Sequence, residues 1–283
     1  MGKMIVLRAL WGSTHPGPTL VVTALAVALG IASGLDPWRV WVLAAAVFAG
    51  QVSVGISNDA LDVVRDRIVS RPDKPIARGD ISERGAWAAA FIALGVALLL
   101  SALLGVGMLA AHALALASAW AYNAGMKATR ASILPFLVSF GLLPSLATLS
   151  AVSPSFAPAW ATFAGAALGA AVHLTNVLPD LDDDERTGVR GLPHQLGSRL
   201  STVLAVVAVI AGAIAVLIGP AHSDLAAVPA VSWPLFTAAV SVAIITLLQA
   251  FRRTPSRTLF RLVMLASLLL ATQLIASGAA LAS

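Results

Sequence analysis

The sequence predicts an all-α polytopic membrane protein, with nine transmembrane helices built as two four-helix pseudo-repeats plus one and a cytoplasmic N-terminus. Three observations carry this. First, 59% of the 283 residues are hydrophobic and 11% charged, with a mean hydropathy of +0.90, against about 25% charged and about 45–50% apolar in a soluble domain. No soluble fold of this size hides so much apolar surface, which excludes a water-soluble globular enzyme and equally a disordered or fibrous chain. Second, the basic residues sort to one side of the apolar stretches. Third, a polar pattern recurs at a fixed interval in the two halves. There is no cysteine, so disulfide frameworks, thiolate metal sites and Cys nucleophiles are excluded as well. A net charge of +5 and a pI near 10.7 would suggest nucleic acid for a soluble protein. Here the excess belongs to cytoplasmic loops, and no nucleic-acid partner is expected.

A membrane-crossing helix needs about 20 predominantly apolar residues. Nine stretches qualify, roughly 18–35, 38–57, 86–104, 106–124, 132–150, 159–178, 200–219, 232–250 and 259–280. The first follows Lys3 and Arg8 like a signal peptide, but Pro16 and Pro18 break that layout, so it is expected to remain as a span. The second closes on an acidic segment at 58–66, and a basic loop follows at 71–79. The fourth ends near Tyr122 and Lys127, and the sixth closes on a second acidic segment followed by Arg186 and Arg190. Arg252, Arg253 and Arg257, between the eighth and ninth, serve topology alone. With the N-terminus cytoplasmic, 17 of the 18 Lys and Arg residues fall inside and only Arg39 outside. Chance would split them evenly, so the asymmetry sets orientation and span count together. Trp11, Trp38, Trp160 and Trp233 lie near predicted span ends, where an aromatic belt anchors helices.

Of the 13 acidic residues, only Asp36 and Asp224 fall outside; the rest cluster at 59–83 and 180–185. Acids contribute little to orientation, so another cause is needed. The first segment carries Asn58, Asp59, Asp62 and Asp66; the second carries Asn176, Asp180 and Asp184, with Asp182 and Asp183 between. The offsets are constant: 176 − 58, 180 − 62 and 184 − 66 all equal 118. This predicts a single domain over 1–283 with pseudo-repeats roughly at 8–130 and 131–250, and an extra helix roughly at 259–280. Sites in such proteins tend to lie between the repeats.

Residues four apart on a helix drift by only about 40°, so each segment lines one face with an amide and two carboxylates. Two carboxylates about 4 Å apart repel by roughly 4 kcal/mol at an effective dielectric near 20, so facing stripes require cations. All-oxygen ligand sets suit Mg²⁺, which completes its shell with water and phosphate oxygens. Two Mg²⁺ ions holding a diphosphate at the membrane surface is the simplest answer. The alternative, acids that merely cap helix ends or pair with arginines, does poorly against two matched triplets, and carboxylates at a helix C-terminus oppose the macrodipole. Arg71 and Lys74 after the first stripe, and Arg186 and Arg190 after the second, sit in segments whose Pro and Gly forbid a long helix, so these are expected to be shaped loops over the site. Lys127 is either a phosphate contact or a topogenic lysine.

Together these residues resemble the UbiA superfamily of intramembrane prenyltransferases. Positions 58–66 match the family's N-D-x-x-D-x-x-x-D in full. The second motif, commonly D-x-x-D-x-x-x-D, is matched with Asn176 for the first Asp. Lys74-Pro75-Ile76-x-x-Gly79 is similar to the family's R-P-[LI]-x-x-G loop with Lys for Arg, and Tyr122 with Lys127 to its Y-x-x-x-K element with one residue more between. The resemblance covers about 8–250. It implies transfer of a prenyl group from a prenyl diphosphate to an acceptor, aromatic or lipid-like, after ionisation of the allylic C–O bond. It implies that Asn58, Asp62, Asp66, Asn176, Asp180 and Asp184 hold two Mg²⁺. Arg71, Lys74, Tyr122, Lys127 and Arg186 would lie around the diphosphate, with Asp62, Asp180 and Lys127 as the catalytic residues. The cations stabilise the leaving group, and the helix walls shelter a carbocation from water. The expected setting is an inner or plasma membrane, among lipids, with the site facing the cytoplasm.

The acceptor is not legible: an aromatic acid, a quinone precursor, a chlorophyllide, a glycerol-phosphate lipid or a phosphoribose would each fit. Whether Asp182 or Asp183 replaces Asp184 as a ligand is equally open. His173, one turn before Asn176, is either a packed helix histidine or a group that deprotonates the acceptor. Rival readings are an intramembrane terpene cyclase using the same stripes, and a secondary transporter. Transporter sites sit near the midplane, where these spans carry no Asp, Glu, Lys or Arg. A CDP-alcohol phosphotransferase would need a D-G-x-x-A-R run, which is not present.

Overall fold

The computed structural model describes residues 2–176, 190–222, 224–252 and 257–281, and among these every regular element is helical. In chain order the helices are α1 (Gly2–Ser13), α2 (Pro16–Ala32), α3 (Pro37–Ile68), α4 (Pro75–Arg78), α5 (Glu83–Leu104), α6 (Val106–Asn123), α7 (Leu134–Thr148), α8 (Ala159–Asn176), α9 (Leu192–Ile218), α10 (Ser232–Arg252) and α11 (Arg257–Ala276). Each of the nine predicted stretches holds one helix. By length and composition, five are long and apolar enough to cross a membrane on their own: α3, α5, α7 with the turn before it, α9 and α10. The pair α1 and α2, bent by 67° at its break, counts as a sixth. Helices α6 and α8 have 18 residues each, within the usual length range for a crossing, but are not among these five.

Two elements were not expected. The N-terminal residues, which precede the first predicted span, form α1, which Thr14 and His15 separate from α2; His15 holds a left-handed φ of 53° there. Helix α9 begins at Leu192, just after Arg190, in the Gly- and Pro-bearing segment expected to be a loop. Gly191 is its N-cap and Pro193 sits in the first turn, where a missing N–H costs nothing. The chain breaks again at Gly197 before the apolar run. The loop expected at 71–79 contains only the single turn α4, opened by Pro75 and closed by Gly79 at a left-handed φ of 84°.

Helix α3 packs on α2, α5 and α6; α6 packs on α7, and α7 on α8. From α8 the chain of contacts runs through α9, α10 and α11, and α11 returns to α8 and α2. The main core between them includes Leu43, Met108, Leu143, Leu168, Val209 and Leu270. A second, smaller core beneath the basic loop holds Ala9, Ile56, Val63 and Ile76, and fixes α1 and α4 against α3. Large apolar side chains such as Trp41, Ile92 and Leu99 are exposed on the outer faces, as lipid contact requires.

Candidate active site

Helix α3 continues well past its apolar run, because nothing between Asn58 and Ile68 breaks it and Arg65 and Arg67 in the last turn offset the acids at the negative end of the dipole. The first acidic stripe lies on this extension. Asp62 is held by Lys127, whose Nζ lies 2.5 and 2.6 Å from its two carboxylate oxygens, and by Arg65 at 3.1 Å. Asp66 is 2% exposed; Arg65 Nε approaches one of its oxygens at 3.9 Å, while the other is buried without a hydrogen bond. Asn58 donates its amide to Asn123 on α6 at 3.1 Å.

Asp59, also 2% exposed, is the centre of a second cluster. Lys74 Nζ donates to its Oδ1 at 2.6 Å and His15 Nε2 donates to the same oxygen at 2.8 Å, while its Oδ2 is buried without a partner. One carboxylate thus joins the α1–α2 break, α3 and the basic loop. Arg71, by contrast, is exposed and closes its fork on Asp73 at 2.8 and 2.9 Å. The hydrogen bonds from Arg71 hold the Asp73 carboxyl down at about 2, so that pair stays charged at any physiological pH.

Tyr122 places its ring edge-on to Phe136 at 5.2 Å and to His173 at 5.9 Å. Asn176 ends α8 with an exposed side chain; Asp180, Asp182, Asp183, Asp184 and Arg186 lie outside the described residues. His173, one turn earlier, is 1% exposed, with Nε2 at 3.0 Å from Ser132 Oγ and Nδ1 buried without a hydrogen bond. Ser132 Oγ also accepts from the Leu192 N–H at 2.9 Å, so one hydroxyl ties the start of α7 to α8 and α9. Ser132→Ala takes the partner from the buried His173 ring and from the part-buried Leu192 N–H, at about 1–3 kcal/mol; a lower melting temperature in detergent is expected, and no change would show that water replaces the hydroxyl.

Residues 19–277 match the model of the UbiA prenyltransferase family. The chain belongs to this family. No curated protein matches it by sequence. Among solved structures, a digeranylgeranylglyceryl phosphate synthase of membranes is similar at a TM-score of 0.73 and 15% identity, over 96% of this chain and 98% of that one. An apo UbiA homologue from Aeropyrum pernix K1 gives 0.72 and 18%, over 92% and 97%. A UbiA homologue from Archaeoglobus fulgidus bound to GPP and Mg²⁺ gives 0.70 and 15%, over 95% and 99%. The UbiA chain described here is thus a membrane-embedded prenyltransferase by family, with the fold of these structures.

Within this candidate site of the UbiA chain, the donor chemistry fits a hard divalent cation. The Asn58 carbonyl oxygen takes no hydrogen bond from the described residues, and one oxygen each of Asp59 and Asp66 is buried without one. These are oxygen donors short of a partner, and all-oxygen sets suit Mg²⁺. Among the described residues, no three His, Asp or Glu side chains gather closely enough to hold a metal alone. The second acidic segment is not among them. In the structure the protein's own ammonium groups supply the compensating charge, Lys127 at Asp62 and Lys74 at Asp59. Sequence reasoning left three participants out. Asp59 was visible in the motif but given no separate role. His15 and Asn123 are single polar residues flanking apolar runs, and nothing in their spacing marks them.

Proposed function

We propose that the chain catalyses Mg²⁺-dependent transfer of a prenyl group from a prenyl diphosphate to an aromatic or lipid-like acceptor, by ionisation of the allylic diphosphate. The observation that carries this is the α3 stripe: carboxylates on one face at the end of an apolar helix, with Lys127 already drawn onto Asp62 and Lys74 onto the adjacent Asp59. The family match and the GPP and Mg²⁺ bound by the Archaeoglobus fulgidus homologue support the same reading. Asn58, Asp62 and Asp66, with Asn176, Asp180 and Asp184, would hold two Mg²⁺ ions. When bound, these neutralise the diphosphate and make it a better leaving group. Lys127 and Lys74, released from their carboxylates, would move to the diphosphate oxygens as point charges. Arg71, Tyr122 and Arg186 are proposed to complete that contact. Apolar side chains above the stripe exclude water while positive charge develops on the prenyl carbon.

We further propose that all nine helices cross the membrane, with the N-terminus and the site at the cytoplasmic face of an inner or plasma membrane. The sorting of 17 of the 18 basic residues supports this. The constant offset of 118 supports duplicated halves, roughly 8–130 and 131–250.

The test is pyrophosphate release by the purified protein in detergent with geranyl, farnesyl or geranylgeranyl diphosphate, with product analysis of the organic extract. Release is expected with Mg²⁺ and an acceptor pool, and loss of release with EDTA. Release without an acceptor, giving a cyclised hydrocarbon, would make the protein a terpene cyclase. Release that persists in EDTA would remove the metal from the mechanism.

A further inference from the structure

Asn58 is the one neutral member of the first stripe, and a carboxamide serves a cation only if its oxygen, not its NH₂, faces the ion. What decides its orientation is Asn123. The Asn123 side chain is buried at the end of α6, with Nδ2 at 2.9 Å from the Val54 carbonyl and 3.0 Å from Ser57 Oγ. A backbone carbonyl only accepts, so the atom facing Val54 must be the NH₂ group. Ser57 agrees: its own hydroxyl proton is spent on the Val54 carbonyl at 2.9 Å, which leaves its oxygen to accept. Asn123 Oδ1 is therefore turned toward Asn58, and only the Asn58 NH₂ can satisfy it, at 3.1 Å. The chain of donors ends with the Asn58 carbonyl oxygen directed away from Asn123 and without a hydrogen bond from the described residues.

We infer that Asn123 is a positioning residue that locks the Asn58 amide with its oxygen presented to a divalent cation. This rests on Asn58 as a metal ligand, as proposed above. Residues that orient a metal ligand through a second hydrogen bond commonly change metal affinity by about 10–100-fold when removed.

The test is Mn²⁺ binding to the full-length protein in detergent, read from the EPR signal of the free ion, so that no turnover is needed. Asn123→Ala is expected to weaken Mn²⁺ binding about tenfold. Asn123→Ser, whose short hydroxyl still reaches a carbonyl but not Asn58, should do the same if the alanine variant folds poorly. The deciding measurement repeats Asn123→Ala in an Asn58→Asp background. A carboxylate presents oxygen whichever way it turns, so there the loss should disappear. An equal loss in both backgrounds would overturn the positioning role and leave Asn123 a packing residue. A weakening by Asn58→Ala with none by Asn123→Ala would overturn it too, while leaving Asn58 a ligand. No change from Asn58→Ala would overturn both.

Discussion

Asp62→Asn is expected to lower turnover of prenyl diphosphate by about 10²–10³-fold, in the range seen when a preorganised charge-stabilising group is removed, while the protein stays folded and inserted. The substitution is nearly isosteric, so α3 keeps its packing. What changes is charge: both Asp62 oxygens are engaged by the Lys127 ammonium, and Arg65 shares one of them. Removing the carboxylate takes away a proposed metal ligand and frees Lys127, whose side chain is only 13% exposed. The two effects separate in the double variant Asp62→Asn/Lys127→Gln. If an unpaired Lys127 merely repels the cation, the second substitution restores Mn²⁺ binding; if Asp62 holds the metal, the double variant still binds Mn²⁺ weakly, and turnover stays low in either case because Lys127 is itself a proposed diphosphate contact. Asp36→Asn, whose carboxylate pairs loosely with Arg39 at 3.7 Å, is the control and should turn over normally. Full activity in Asp62→Asn would remove the acidic stripe from the chemistry.

The parts legible in sequence are those set by one helix at a time. Apolar runs gave all nine long helices, and the four-residue spacing put Asn58, Asp62 and Asp66 on one extension of α3. Partners of the stripe were harder, because they come from other elements. Lys127 was identified as a cation near phosphate, yet its contact is a carboxylate 65 residues away. His15 reaches Asp59 only because the chain turns through a left-handed residue between α1 and α2, and no periodicity predicts that turn. Asn123 sits beside the conspicuous Tyr122, and its role depends on which atom of an amide faces a carbonyl. The break before α9 was misjudged for a general reason: Gly and Pro forbid the middle of a helix, but they also mark its beginning.

Gly169→Val is expected to destabilise the protein by about 3 kcal/mol or more, the upper range for overpacking a close contact. The corresponding fall in melting temperature is about 10 °C. Without a hydrophobic drive between helices in lipid, close backbone approach over small residues takes its place. Gly165 and Gly169, one turn apart on α8, provide it. A Cβ on Gly165 would run into the Phe140 carbonyl, and one on Gly169 into the Phe136 carbonyl and to within 2.8 Å of Phe140 Cβ. Neither obstacle is a flexible side-chain end, so α8 must back away from α7. His173 and Asn176 lie one and two turns further along the same helix, so retreat would also open the Ser132–His173 hydrogen bond and shift the proposed second stripe. Activity should therefore fall even in the fraction that remains folded. The control is Gly95→Val on α5, where a Cβ meets nothing within 4 Å; its melting temperature and turnover should stay near wild type. Equal losses in both variants would mean that valine in any span is harmful, and that the α7–α8 contact has no special part in holding the site.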